Sequence, residues 1–217
     1  MTWTAAPLLA DGERQGKSQP VLNPADHRDV VGTCVEAGPA DIADAFLFAE
    51  AAAPVWAATP PAQRAACLYR AADEMQARMP TLLGLIIREA GKSTANAIAE
   101  VREAIDFLRY YGARVRDGFA NDTHLPLGPV VCISPWNFPL AIFAGQVAAA
   151  LAAGNPVLAK PAEETPLVAA EAVRILHAAD IPAGAVQLLP GAGEVGAALV
   201  GHAGTRAVMF TGSTDVA

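Results

Sequence analysis

The chain has 217 residues, of which 53% are hydrophobic and 17% charged, and its formal net charge is −7. This size allows one sizeable core, or a large lobe and a smaller one. The acidic balance, without a run of basic residues, argues against a nucleic-acid or anionic membrane surface. Neither a signal peptide nor an apolar run long enough to span a bilayer is evident, so we expect a cytoplasmic protein.

The first half of the chain, up to Tyr111, predicts a small β segment followed by helices. Between residues 8 and 36, turn signals alternate with short β-prone runs, which indicates a small antiparallel piece. Apolar residues then recur with helical spacing. Thr59-Pro60-Pro61 predicts a helix start capped by Thr59, and Gly91 predicts a helix end.

A long helix is predicted after Ser93, which is a suitable N-cap residue. Its expected buried stripe consists of Ile98, Val101, Ala104, Ile105 and Leu108.

From Val130 onward, strands alternate with helices, which predicts a parallel sheet with right-handed crossovers. We therefore expect an α/β fold: a Rossmann-like core at 129–217, preceded by a helical and β segment at 1–128. Gly154 and Gly184 are expected near helix ends, and Ser213-Thr214 predicts the cap of another helix. The predicted strands are 130–133, 156–159, 185–189 and 207–210, and the helices are about 139–152, 166–178 and 194–201.

Polar residues follow two successive strands of this predicted sheet. The first strand stops in Ser134-Pro135-Trp136-Asn137-Phe138-Pro139, and the second ends in Lys160-Pro161-Ala162-Glu163. Prolines restrict the backbone of the first loop. Because open α/β sheets bind ligands at the carboxyl ends of their strands, both loops are candidates for a functional site.

These two motifs, together with Phe210-Thr211-Gly212-Ser213-Thr214, resemble the NAD-dependent aldehyde dehydrogenase superfamily. The surrounding segments at 107–111, 121–124 and 127–129 are most similar to the domain that oxidises L-glutamate γ-semialdehyde in proline catabolism. The resemblance extends from about Leu8 to Ala217, which is roughly the N-terminal half of such a domain.

The resemblance implies a cofactor site for NAD. Lys160 and Glu163 match the residues that hold the adenosine ribose, although by themselves they read more often as a surface ion pair. A carboxylate there would repel a 2′-phosphate and so favours NAD over NADP. The complete set of expected cofactor residues is Ile133, Ser134, Pro135, Trp136, Lys160, Ala162, Glu163, Gly193, Gly196, Phe210, Thr211, Gly212 and Ser213.

The segment Gly191-Ala192-Gly193-Glu194-Val195-Gly196 is a literal G-x-G-x-x-G motif. Taken alone, it would place a pyrophosphate at a helix N-terminus, with Asp215 on the ribose. It follows the third strand rather than the first, however. The resemblance implies instead that Ser213 lies near the pyrophosphate. It also implies that Gly193 and Gly196 allow the adenine and the helix to approach each other closely.

Asn137 is the candidate catalytic residue. A side-chain amide held between prolines is suited to stabilise the oxyanion that forms when a thiolate adds to an aldehyde. The alternative is an Asx-type turn that supports the loop. The resemblance places Phe138 in the aldehyde tunnel and Glu103 at the substrate mouth, although a solvated helix face explains Glu103 equally well.

The nucleophile and the general base of the reaction are not expected among the residues of this sequence. Cys34, Cys67 and Cys132 lack the context of an activated thiolate, and the four histidines lack metal-ligand spacing, so no metal is expected. The resemblance implies a nucleophilic cysteine and a general-base glutamate beyond Ala217. It also implies homo-oligomers and allows a preceding FAD-dependent proline dehydrogenase domain. The alternatives are a non-catalytic NAD-binding or assembly module, and a fragment that does not fold alone.

Overall fold

The structure is a computed structural model that describes residues 3–214. Its elements in chain order are β1 (Trp3–Ala5), β2 (Leu8–Leu9), β3 (Gly12–Glu13), β4 (Ser18–Asn23), β5 (Asp26–Val35), α1 (Pro39–Ala58), α2 (Pro61–Ala77), α3 (Met79–Ala90), α4 (Thr94–Gly118), β6 (Val130–Ile133), α5 (Ala141–Ala152), β7 (Val157–Lys160), α6 (Pro166–Ala178), β8 (Val186–Leu188), α7 (Gly193–Gly201) and β9 (Ala207–Phe210).

The larger sheet has the strand order β3-β2-β8-β7-β6-β9, and its last four strands are mutually parallel. This confirms the predicted α/β fold with a Rossmann-like parallel sheet. Strands β6, β7 and β8 are almost entirely buried, because helices cover both faces. One face packs around Phe143, Leu151 and Val173, and the other around Phe46 and Leu199.

The N-terminal strands do not form one antiparallel piece, so that prediction was wrong. Strands β4 and β5 pair antiparallel, but β1 joins β5 in parallel, and β2 and β3 belong to the larger sheet. Leu8 pairs antiparallel with Leu188, and the Ala10 N–H donates to the Gln187 side chain over 3.3 Å. The short hairpin thereby covers the backbone edge of β8, which would otherwise be unpaired.

Several helix boundaries follow the expected signals, and others do not. Gly91, at φ 65°, ends α3, and the Ser93 hydroxyl accepts the Asn96 N–H at the start of α4. Thr59 does not cap α2. It ends α1, where its backbone N–H and its hydroxyl both donate to the Val55 carbonyl.

Gly154 takes the left-handed conformation predicted for the end of α5, with φ 87°. At the end of α6, the same role falls to Asp180, at φ 66°, rather than to Gly184. Asp is among the few residues that tolerate this region of φ.

The buried stripe of α4 differs from the expected one at a single turn. Val101, Ala104, Ile105 and Leu108 are buried, but Ile98 is 37% exposed whereas Glu100 is 1% exposed. The helix is thus rotated so that a carboxylate, rather than an isoleucine, enters the interior.

Replacing Gly154 with alanine is expected to lower the free energy of unfolding by about 1–3 kcal/mol, because a Cβ is strained at positive φ. The added atom would also lie 2.9 Å from Pro126 Cγ. Gly84 in α3 is the matched control, since a Cβ there meets open space. Alanine at Gly84 should raise stability by about 0.5–1 kcal/mol. Urea unfolding monitored by circular dichroism measures both, and equal effects would contradict the prediction.

Among residues 3–214, no single helix is long and apolar enough to cross a membrane. Helices α1 and α2 reach such a length together, but they meet at a bend of 112°.

Candidate functional site

The carboxyl ends of three parallel strands meet at one edge of the larger sheet. Ile133 at the end of β6 pairs with Lys160 on β7 and with Phe210 on β9. The chain runs from β6 to β7 and β8 on one side, and then returns to place β9 on the other side. Such a reversal of strand order opens a ligand crevice in α/β sheets.

A cleft of about 670 Å³ lies at this edge. It brings together the two predicted loops and the residues after β9, although they are separated by up to 80 positions in the sequence. Gly193 and Gly196 are not part of its lining. The lining residues are Ile133, Ser134, Pro135, Trp136, Asn137, Phe138, Ile142, Lys160, Ala162, Glu163, Glu164, Phe210, Thr211, Gly212 and Ser213.

Backbone hydrogen bonds tie the three loops of the cleft to one another. The Ser134 N–H donates to the Lys160 carbonyl over 3.2 Å, and the Thr211 N–H donates to the Ile133 carbonyl over 3.1 Å. From α5, the buried Gln146 amide donates to the Thr211 hydroxyl over 3.0 Å. Sequence reasoning missed Gln146, which lies in an otherwise apolar helix and so stands out as a polar exception.

Lys160 is buried, with 4% of its surface exposed. Its Nζ donates to the Pro161 carbonyl over 3.1 Å and lies 3.9 Å from a Glu163 carboxylate oxygen. Burial lowers the pKa of Lys160, and the nearby Glu163 opposes this effect. Because an ammonium group has three donors, Lys160 retains capacity for the hydroxyl oxygens of a ligand in the cleft.

Gly196 lies behind Lys160. A Cβ at this position would stand 3.4 Å from Lys160 Cδ and 3.8 Å from Ile133 Cδ1, which are ordinary van der Waals contacts, so α7 packs against the lysine stem without requiring glycine there. Gly193 begins α7, and a Cβ there would meet open space. Asp215, the ribose residue of the alternative interpretation, lies outside the described residues.

The loop after β6 presents its middle residues to solvent. Ser134 and Pro139 are buried at either end, whereas Trp136 is 56% exposed and Phe138 is 42% exposed, with the exposed Asn137 between them. This arrangement leaves the Asn137 amide free to meet a ligand at the mouth of the cleft.

Two buried glutamates, which sequence reasoning missed, support the loops from behind. Glu100 of α4 accepts the N–H groups of Leu140 and Ala141 at the start of α5, at 3.2 and 2.9 Å. Glu89 of α3 likewise accepts from Leu167 and Val168 at the start of α6. Burial raises the pKa of Glu89 to about 8, while these two N–H groups lower it.

The Glu100 carboxylate affects where a phosphate ligand can bind. In Rossmann folds, the pyrophosphate rests at the N-terminus of the helix that follows the first strand. Here that helix is α5, and Glu100 already accepts its N–H groups. A phosphate at this point would face a negative charge, so the usual binding position is disfavoured.

Glu103 is exposed on α4, outside the cleft lining. Its helix neighbour Phe107 lines a separate groove of about 170 Å³ with Tyr111, Ile142, Gly145, Gln146 and Met209. Glu103 is therefore not among the residues that line the cleft with Asn137 and Phe138.

All three cysteines are buried and free. Burial raises the pKa of Cys34 and that of Cys132 to about 12, and it also raises the pKa of Cys67. Low-pKa, accessible thiols are the reactive ones, so none of these three fits a nucleophile. Within the described part of the chain, no three His, Cys, Asp or Glu side chains form a potential metal site.

The strand order and the crevice define a doubly wound α/β domain with a candidate ligand site at its switch point. The aldehyde dehydrogenase family model matches residues 11–217, and the chain belongs to the aldehyde dehydrogenase family. The resemblance found in the sequence motifs is thereby confirmed.

Two groups of relatives are similar to nearly the whole chain. Bifunctional protein PutA of Klebsiella aerogenes is 62% identical over 99% of this chain, which spans 16% of that protein. The 1-pyrroline-5-carboxylate dehydrogenase of Anoxybacillus flavithermus is 42% identical over 97% of this chain, which spans 44% of that protein. A Thermus 1-pyrroline-5-carboxylate dehydrogenase structure with bound NAD superposes with a TM-score of 0.92 at 37% identity. This match covers 99% of this chain and 45% of that one. The chain thus spans less than half the length of these relatives.

Proposed function

We propose that this chain forms the NAD-binding part and the oxyanion side of an aldehyde dehydrogenase that oxidises L-glutamate γ-semialdehyde to L-glutamate in proline catabolism. The observation that carries the proposal is the convergence of Asn137, Lys160 and Ser213 on one cleft. The names of the relatives support the substrate, and the NAD-bound Thermus structure supports the cofactor.

Lys160 and Glu163 are proposed to hold the adenosine ribose. The unused donors of the Lys160 ammonium and the half-exposed Glu163 carboxylate suit a pair of neighbouring hydroxyls. The same carboxylate disfavours a 2′-phosphate and selects NAD over NADP. Because Glu100 occupies the start of α5, the pyrophosphate is assigned to the side of the cleft lined by Ser213.

Asn137 is proposed to donate a hydrogen bond to the oxygen that becomes negative when a thiolate adds to the aldehyde. Phe138 would line the path of the aldehyde, and Glu103 would face its entrance. Bound NAD supplies the acceptor for the hydride.

The buried thiols imply that the nucleophile comes from outside the described residues. We assign both the nucleophilic cysteine and the general-base glutamate to a continuation of the domain. The proposal also includes a cytoplasmic location, homo-oligomers, a proline dehydrogenase partner domain that uses FAD, and the division of these residues into 1–128 and 129–217.

A non-catalytic NAD-binding or assembly module is the second candidate. The observation that favours it is the absence of an activated thiol from residues 3–214.

Calorimetric titration of the purified 217-residue chain with NAD tests the proposal, together with an absorbance assay for NADH in the presence of glutamate semialdehyde. We expect saturable NAD binding without NADH formation. Lack of NAD binding by a folded chain would refute the assigned cofactor role, and NADH formation would refute the assignment of the nucleophile to another segment. Aldehyde oxidation by the source protein that contains this segment distinguishes the enzyme from the non-catalytic module.

A further inference from the structure

The residues that hold the Asn137 loop from behind form a chain of charged contacts. One oxygen of Glu100 accepts the N–H groups of Leu140 and Ala141. The other oxygen accepts from Lys92 Nζ over 2.7 Å. Glu100 is 1% exposed, and the Lys92 side chain is largely buried. Burial makes such a pair costly to separate, because either partner alone would be an uncompensated charge.

Lys92 also contacts the loop directly. Its Nζ lies 4.2 Å from the centroid of the Phe138 ring, within the range of a cation–π interaction. One ammonium group therefore links the carboxylate that fixes the start of α5 to the aromatic ring next to Asn137. The loop is held at its end by Glu100, and at its exposed middle by Lys92.

The positive charge of Lys92 also offsets the negative charge of Glu100 near the loop. The Glu100 carboxylate lies below a loop at which, under the proposed function, an oxyanion develops. A negative charge near that oxygen would oppose its formation, and a neighbouring ammonium group offsets the carboxylate.

We propose that Lys92 and Glu100 are positioning residues that set the conformation of the Asn137–Phe138 loop and thereby the orientation of the oxyanion donor. The inference has a conformational part, the effect of Lys92 and Glu100 on the loop, and a catalytic part, the resulting orientation of the oxyanion donor. Only the catalytic part rests on the proposed function. Lys92 and Glu100 act through the loop and are not proposed to touch the substrate.

Fluorine NMR of the chain labelled with 5-fluorotryptophan tests the conformational part without NAD. The chain has three tryptophans, and Trp136 lies in the loop, so a Trp136→Phe variant assigns its resonance. We expect Lys92→Met and Glu100→Gln to shift or broaden the Trp136 resonance while those of Trp3 and Trp56 stay in place. Lys92→Arg, which retains the positive charge, should keep the Trp136 resonance at its native position.

Ile175→Val, a conservative core change in α6, is the control for a general loss of stability and should leave Trp136 unchanged. A Trp136 resonance that stays native in folded Lys92→Met would overturn the proposal. Since Glu100→Gln removes a buried charge and could prevent folding, the decision rests on Lys92→Met.

The catalytic part is tested by kinetics in an aldehyde-oxidising protein that contains this segment. Lys92→Met should lower kcat about tenfold and leave KM for NAD within about twofold, because small displacements of a catalytic group reduce turnover. An unchanged kcat would refute the catalytic role. If the chain fails to bind NAD while Lys92→Met still moves the Trp136 resonance, the proposed function fails and the loop contact stands.

Discussion

Replacing Lys160 with alanine is expected to weaken NAD binding by about 10- to 100-fold, since hydrogen bonds to a charged donor contribute about 1.5–3 kcal/mol. The buried ammonium has donors left after its bond to the Pro161 carbonyl, and alanine removes them. Calorimetric titration of the folded 217-residue chain with NAD measures the change.

Lys17→Ala is the matched control, because Lys17 is an exposed lysine that does not line the cleft, and it should bind NAD as the unchanged chain does. Glu163→Gln provides the complementary test. It should weaken NAD binding less than Lys160→Ala, since Glu163 is half exposed, and it should reduce the preference for NAD over NADP. An unchanged affinity of Lys160→Ala for NAD would contradict the proposal that Lys160 holds the adenosine ribose.

Replacing Asn137 with alanine is expected to lower kcat for aldehyde oxidation by about 10²–10³-fold, the usual effect of losing one oxyanion donor. The affinity for NAD should change little, because the predicted role concerns the aldehyde oxygen. The measurement requires a protein that contains this segment and oxidises aldehydes, with NADH formation followed by absorbance.

The control for this variant is Asn96→Ala, which removes an exposed asparagine amide from the first turn of α4. It should retain full turnover. If Asn137→Ala instead lowered the thermal stability of the chain and left kcat unchanged, the side chain would be an Asx-type support for its loop rather than an oxyanion donor.

The candidate cleft was largely predictable because its lining belongs to three loops that each follow a predicted strand. Parallel strands place their carboxyl ends at one edge, so Asn137, Lys160 and Ser213 were expected together before any contact was known. Gly193 and Gly196, which were expected to allow close approach of the adenine and the helix, lie outside the cleft lining, and their role stays a prediction. The roles of these residues in binding and catalysis remain predictions.

The supporting residues were harder to predict. Glu100 falls on the buried side of α4, three residues after Ala97 and four before Ala104, so its spacing was a usable signal. A carboxylate at such a position is normally assigned to solvent, because its burial is unfavourable without hydrogen-bond partners. Those partners are the amides of Leu140 and Ala141, about 40 positions further along the chain.

The sequence by itself determined the alternation of strands and helices from Val130 to Phe210, the loops that end the strands, and the family. The strands, helices and loops depend on periodicity and turn residues within short windows, whereas the family depends on the resemblance of three motifs. Only the tertiary structure decided that β2 covers the edge of β8, that Glu89 and Glu100 cap the helices behind the cleft, and that Lys92 reaches Phe138. The reason is physical: the free energy of burying a charge or pairing a strand edge depends on partners that lie far away in the sequence and meet only in the folded chain.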